Sequence, residues 1–352
     1  MVDHVRLVED SEEWDRFVKN CPNGSFLQSS LWGELKSRYG WVVKRFAIGE
    51  SVVRAGVQML IRTRSLSPLG PSVGIAYVPR GPLAVGEQET RALLRVVVEE
   101  ARRCGSSMLR VEPPNGTAAD LQTEILAQEG FASSSAFVQV PRTGMVDLER
   151  DTQTLLKSFK SKMRYNIGLA ERRGVVVDIC TDDHSLEEFY ELTTMTAQRE
   201  GFAVHAQSYY RDVWHCFGDD TALFIARYKE RPLAAAMVLA FGQTAVYLYG
   251  ASSNLERNRM APHAVQWSAI RWAQDHGCHQ YDLWGMANPH DPNDPMFGVH
   301  RFKLGFQPTI RHYPGAYDRS IQKFRGWALS VGVLKARSML NRWRGRRPAL
   351  SI

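Results

Sequence analysis

Residues 222–251 read ALFIARYKERPLAAAMVLAFGQTAVYLYGA, three apolar runs interrupted only by KERP and GQT. Residues 222–228 and 233–241 fit two paired strands and residues 245–251 a third, since β-branched, aromatic and apolar side chains in short runs suit a pleated, buried surface. The run at 233–241 is too short to span a bilayer. On its N-terminal side, residues 186–200 and 207–217 carry helical periodicity; on its C-terminal side, a helix over 261–276 and a strand over 280–284 follow. The order is helix pair, hairpin, third strand, helix, fourth strand.

The upstream half repeats that order. Residues 11–20 and 29–39 read as helices, 42–48 and 55–62 as strands around a turn, and 75–78 as a strand ending in PRGPL. A helix over 87–104 places Leu93, Leu94, Val97 and Ala101 on one face, and a strand over 107–112 follows it. A further helix over 117–129 ends at Gly130, and 136–141 and 144–147 are expected strands. The repeated order is that of an α/β acyltransferase fold of the N-acetyltransferase (GNAT) type. Two tandem GNAT-like copies account for 352 residues, a length beyond what one core usually fills. The expected boundaries are 1–150 for the first domain, 151–318 for the second and 319–352 for a tail. The second domain begins with a basic helical stretch at 155–174, LLKSFKSKMRYNIGLAERRG, closed by glycine. It reads either as a solvated connecting helix or as a contact for nucleic acid.

Composition narrows the function. Five scattered cysteines with no CxxC pair argue against a disulfide framework and a thiolate zinc site, and His276, Cys278 and His279 read as packing and solvent residues. The opening MVDHVRLVEDSEEW is acidic where a signal peptide would be basic and then apolar, so the expected location is the cytoplasm. The net charge of +7 is a property of the tail: from Arg319 onward there are nine basic residues and no acid, which leaves about −2 for the remainder.

An enzyme of this fold that uses acyl-coenzyme A holds the pyrophosphate on backbone N–H groups of a glycine-bearing loop at a helix N-terminus. The corresponding stretch at 254–262, NLERNRMAP, has no glycine and a proline at the helix start. In the first half, PRGPLAVG flanks its best-placed glycine with prolines. Two copies without a cradle point to another acyl donor, and no cofactor is expected.

Several segments together resemble the Fem-type (FemABX) aminoacyltransferases. They are FLQSSLWGELK (26–36), YVPRGPL (77–83), LLKSFKSKMRYNI with AERRGV, YLYGASS (247–253), MAPHAVQW, YDLWGM (281–286) and GVHRFKLGF (298–306). The resemblance covers about residues 20–318 and is to the compact form, because there is no room for the coiled-coil arm of the larger branch. It implies transfer of an amino acid from aminoacyl-tRNA to the stem peptide of a peptidoglycan precursor, nucleotide-linked or lipid-linked, by a monomer at the inner face of the membrane. Family members often carry an acid shortly after PRGP. Here Leu83, Ala84 and Val85 follow, so this loop supplies no carboxylate base.

The implied reaction is attack of an amine on the ester joining an amino acid to the terminal ribose, which needs positioning and a cation for the developing oxyanion. The family's lysine after phenylalanine maps to Lys303, with Phe302 as its apolar neighbour. Taken alone, Lys303 would read as a surface lysine in a strand-to-turn segment. Lys36 and Arg211 fit the precursor's diphosphate as point charge and bidentate fork. Tyr210 and Tyr249 are further substrate candidates, although aromatic residues at such positions often serve the core. Trp32 is assigned to packing. Arg80 reads either as a phosphate contact or as a hydrogen-bond hub.

In the tail, Ile321, Phe324, Ala328, Val331 and Leu334 fall at helical spacing among arginines, a basic amphipathic helix. Residues 319–347 could lie on anionic lipid or tRNA phosphates, or dock on the second domain. Three other functions stay open: an acyl-coenzyme A-dependent N-acyltransferase, aminoacyl transfer to a non-peptidoglycan acceptor, and a non-catalytic RNA- or membrane-binding protein.

Overall fold

The structure is a computed structural model, and it describes residues 5–65, 72–116, 119–289 and 297–322. The chain forms two compact units, one of residues 1–141 with a returning segment from His312, the other Arg142–Arg311. The first contains β1 (Val5–Leu7), α1 (Ser11–Asn20), α2 (Ser30–Arg38), β2 (Val42–Ile48), β3 (Ala55–Ser65), β4 (Ser72–Pro79), α3 (Glu87–Arg103), β5 (Met108–Glu112), α4 (Ala119–Gln128) and β6 (Ala132–Ser134). The second contains β7 (Arg142–Asp147), α5 (Thr152–Ser158), α6 (Ser161–Arg172), β8 (Val176–Cys180), α7 (Asp183–Glu200), α8 (Gln207–Phe217), β9 (Thr221–Tyr228), β10 (Arg231–Phe241), β11 (Thr244–Ser252), α9 (Ala261–Asp275), β12 (Gln280–Gly285), α10 (Phe297–Lys303) and β13 (Thr309–His312). The chain then adds β14 (Ala316–Ser320) to the first unit.

The hairpin expected at 222–241 closes on Lys229 and Glu230, both left-handed (φ 48° and 62°), a turn whose twist matches that of the strands it joins. Along β10, Ala234, Ala236, Val238 and Ala240 share a core with Met163 and Ile167 of α6 and Val265, Ala269 and Ile270 of α9. The intervening Ala235, Met237 and Leu239 are buried too, so both faces of β10 are covered, as its unbroken apolar run requires. In the first unit, Leu93, Leu94, Val97 and Ala101 of α3 pack with Val57 and Met59 of β3, Val78 of β4 and Leu109 and Val111 of β5.

The strand orders are β1-β2-β3-β4-β5-β14-β6 and β13-β7-β12-β11-β10-β9-β8. The first sheet therefore takes one strand from beyond its own stretch of chain, β14 beside β5, whereas in the second sheet β7, the first strand of that unit, enters between β13 and β12. The boundary expected after residue 150 falls instead after Pro141, and Ala316–Ser320 on either side of residue 318 form one strand of the first sheet. The returning strand is fixed by a bidentate ion pair: Arg110 of β5, only 1% exposed, donates from Nε and Nη2 to Asp318 of β14 at 2.7 Å each. The two residues face each other in the ladder register.

The expected strand at 136–141 does not form, because the amides of Val138 and Gln139 donate to the Glu112 carboxylate (2.5 and 3.0 Å) instead of to a ladder. The stretch 155–174 is broken at Phe159 and Lys160 into α5 and α6, with Gly174 left-handed (φ 73°) after the second. Of the tail helix expected over 319–347, Arg319 and Ser320 instead end β14, and the residues from 323 onward lie outside the described residues. No helix among the described residues is long and apolar enough to cross a membrane.

Candidate active site

In the second unit, β11 and β12 pair in parallel only at Thr244, Ala245 and Val246, opposite Gln280, Tyr281 and Asp282, and then part. On its other side β11 carries one extra residue: Met237 of β10 faces Tyr249 while the next residue, Val238, faces Tyr247. Such a bulge re-aims side chains at a strand's end. It places the Tyr247 ring across Gly250, where an added Cβ would sit 1.5 Å from the phenolic oxygen. Burial pushes the Tyr247 hydroxyl up to about 12, tempered by a hydrogen bond with Gln266 of α9. The Tyr281 hydroxyl donates to the same Gln266 side chain (3.1 Å). Gly250→Ala is expected to lower stability by about 1–3 kcal/mol through overpacking. A thermal melt of Gly250→Ala combined with Tyr247→Ala should recover part of that loss; no recovery would show that the ring is not the obstacle.

Lys303 belongs to this parting. It ends α10 and is 3% exposed, not a surface lysine in a strand-to-turn segment, because the helix turns its stem inward. Its Nζ donates to the Gly285 carbonyl at the end of β12 (2.8 Å) and lies 5.7 Å from the centre of the Tyr247 ring. Burial pushes its pKa down to about 8, against the pull of the Asp282 carboxylate. Asp282 also accepts the Trp284 amide (2.7 Å), and Trp284 is left-handed (φ 62°), which bends the strand just before Gly285. Phe302 is half-buried and packs edge-on against His263 and Phe306, with ring centroids 5.1 and 5.5 Å away. His263, in the first turn of α9, lies 3.1 Å from Asn166 Nδ2, and burial lowers its pKa to about 4.

The remaining sequence candidates divide between the units. Tyr210 of α8 is buried and packs edge-on against Tyr249 of β11 (5.0 Å), and burial raises its hydroxyl to about 12. Next to it, Arg211 is 44% exposed and its Nε lies 3.6 Å from Asp183. In the first unit, Lys36 on α2 is 2% exposed, its Nζ lies 4.2 Å from the Trp32 ring, and burial brings its pKa to about 7. Trp32 packs edge-on against Phe26 (5.3 Å). Arg80, left-handed at φ 47°, donates to the Val140 carbonyl (2.7 Å) and stacks 3.3 Å over the Tyr313 ring. That arrangement supports the hydrogen-bond hub.

One carboxylate under the PRGP loop escaped the sequence reading. Glu112, at the end of β5, accepts from the Tyr77 hydroxyl (2.6 Å) as well as from the Val138 and Gln139 amides. Burial raises its pKa despite those donors. Nothing local in MLRVE marks it, because its partners lie 26 to 35 residues away.

The first unit closes the position that the second opens. Its β4 and β5 pair without a break from Ile75 and Met108 to Pro79 and Glu112. At the N-terminus of α3, the Glu89 carboxylate sits 2.0 Å from where a Gly86 Cβ would lie, which puts the chain's own acid at that helix start. In the second unit, the amides of Arg259, Met260 and His263 are engaged by the carbonyls of Glu256, Arg257 and Met260, and Pro262 has none. The residues do not fit a pyrophosphate cradle.

Fold and site thus define a tandem GNAT-type protein whose second copy keeps an open strand parting, with a buried lysine, and neither copy the cradle for a coenzyme. The chain belongs to the FemAB family, whose model matches residues 10–130, 127–231 and 224–331. It is 25% identical over 386 aligned residues to a lipid II:glycine glycyltransferase of Staphylococcus aureus, covering 88% of this chain and 91% of that protein. Among solved structures, FemX matches with a TM-score of 0.83 at 22% identity, over 93% of this chain and all of that one. A tandem GNAT protein from the clavulanic acid biosynthesis pathway matches with a TM-score of 0.55 at 15% identity, over 90% and 99% of the two chains.

Proposed function

We propose that this protein transfers an amino acid from the 3′-terminal ribose ester of aminoacyl-tRNA to an amine of the stem peptide of a peptidoglycan precursor. The observation that carries the reading is Lys303, buried at the parting of β11 and β12, beside a helix start where the amides of Arg259, Met260 and His263 are engaged and Pro262 has none. Family membership and the likeness to a lipid II glycyltransferase support the acceptor class.

In the reaction the amine attacks the ester carbonyl, a C–N bond forms, the C–O bond to the ribose breaks, and the amine's proton ends on the ribose oxygen. One N–H of the Lys303 ammonium goes to Gly285 and fixes its position. The other two can stabilise charge on the carbonyl oxygen. Phe302 walls the site against water. Lys36 in the first unit, Arg211 in the second, and with them Tyr210 and Tyr249, remain candidates for precursor contacts, while Arg80 keeps the role of a hydrogen-bond hub. Action by a monomer at the inner face of the membrane completes the proposal.

The test uses the purified full chain, total tRNA charged with a mixture of amino acids, and the lipid-linked and nucleotide-linked precursors in separate reactions. Mass spectrometry should show one added residue on one precursor, and prior alkaline hydrolysis of the tRNA ester should abolish it. No added residue with either precursor would overturn the reading, and a rise in melting temperature with acyl-coenzyme A would replace it.

A further inference from the structure

We propose that the outward face of α6, with the α5–α6 junction and the loop before α9, docks the RNA body of the donor; this rests on aminoacyl-tRNA being the donor. Between residues 157 and 173 there are six basic residues, Lys157, Lys160, Lys162, Arg164, Arg172 and Arg173, and one acid, Glu171, all of them exposed. The apolar residues of α6 (Met163, Ile167, Ala170) point into the core with α9. The opposite stripe is Ser161, Tyr165, Gly168 and Arg172, three and four residues apart. Tyr165 is 60% exposed, with the Arg172 guanidinium 5.7 Å from its ring centre. An exposed aromatic among cations offers a π-face for an unpaired base, and Arg172 Nη1 lies over half-buried Gly168, 3.1 Å from where its Cβ would be, as a cation for a phosphate beside that base.

This face is tied to the candidate active site by contacts within the second unit. The Lys160 amide donates to the Gly305 carbonyl (2.9 Å), two residues beyond Lys303. Met163 fills the space that a Gly305 side chain would need, its Cε 2.3 Å from that Cβ position. Asn166 meets His263, which in turn packs on Phe302. Arg173 donates to the Asn258 carbonyl, and Arg259 donates back to the Arg173 carbonyl (2.5 Å), so the basic loop before α9 is fastened to the end of α6. A polyanion whose esterified end reaches Lys303 would therefore run along these cations. Lipid fits less well: a helix lying on a bilayer turns its apolar stripe outward, whereas α6 turns its own inward.

The experiment compares the full chain with a charge-reversed variant (Lys157→Glu, Lys162→Glu, Arg172→Glu). A control carries three reversals at exposed arginines of α3, in the other unit (Arg95→Glu, Arg102→Glu, Arg103→Glu). The probe is uncharged bulk tRNA, titrated over a range of salt concentrations, after melting curves confirm that all three proteins are folded. The α6 variant is expected to bind at least about tenfold more weakly near 0.1 M salt, with a log–log salt slope smaller by about 2 to 3, since each phosphate contact contributes about 0.9. The control should change affinity less than about threefold. Equal losses in the two variants, or none in the α6 variant, would overturn the proposal. So would an α6 variant that binds tRNA normally but no longer sediments with anionic vesicles. If transfer occurs in the assay above while the α6 variant binds tRNA like the parent, the docking surface falls and the function stands. If the parent binds tRNA through α6 but transfers nothing, the function falls and the surface stands.

Discussion

Replacing Lys303 by alanine is expected to lower the turnover of aminoacyl transfer by about 10²- to 10³-fold, the usual effect of removing one oxyanion donor. The loss should appear in kcat more than in KM, because the ammonium acts on charge that exists only in the transition state. Lys303→Met keeps most of the volume and should leave the melting temperature unchanged or higher, since a buried charge contributes little net stability. Lys303→Arg should not rescue, as a planar guanidinium does not fit a niche left 3% exposed. A Lys303→Met variant with near-normal turnover would remove Lys303 from the mechanism.

The same lysine sets a pH signature. Its folded-state pKa, about 8, lies below the ordinary 10.5, so between those values the unfolded chain binds more protons than the folded one. Stability from this group therefore rises with pH across that window. The rate, which needs the ammonium, should fall as pH climbs through about 8. Opposed trends in rate and stability, both lost in Lys303→Met, would distinguish Lys303 from a group whose deprotonation simply unfolds the protein.

The second large effect concerns the returning strand, β14. Asp318→Ala leaves the Arg110 guanidinium buried, with the Ser134 hydroxyl (3.2 Å) as its remaining partner in the strand cluster. Removing one member of a buried pair is expected to cost about 3 kcal/mol. Hydrogen exchange should quicken in β5, β6 and β14 and spare β10, whose core belongs to the other unit. Arg110→Met with Asp318→Leu should restore most of the loss. A neutral Asp318→Ala would mean that pairing along β14, and not this charge contact, holds the strand.

The elements legible in the sequence were those with strong local periodicity: α3, α7 and α9, the hairpin of β9 and β10, and the repeat that joins them. Short strands escaped. Three-residue β1 and β6 have too few side chains to show a period. Residues 136–141 looked like a strand because local propensity does not record that a carboxylate 26 residues away takes the Val138 amide. Lys303 and Phe302 were found through a motif. That Lys303 is buried, held by Gly285 and lowered in pKa could not be read from RFKLGF, because all three facts depend on β12 arriving beside α10.

By itself, the sequence determined two GNAT-like copies and a missing coenzyme cradle, since periodicity, a proline at a helix start and the lack of glycine are local properties of the chain. The tertiary structure decided which copy holds an open site. Both copies have a third strand, a helix and a fourth strand in the same order, and only strand pairing separates them: closed to Pro79 and Glu112 in one, parted after Val246 and Asp282 in the other. It also decided that the first sheet is completed by β14, a strand from beyond its own stretch of chain. Pairing of this kind is set by contacts between residues far apart in sequence, such as Arg110 and Asp318, 208 positions from one another, and no local pattern carries them.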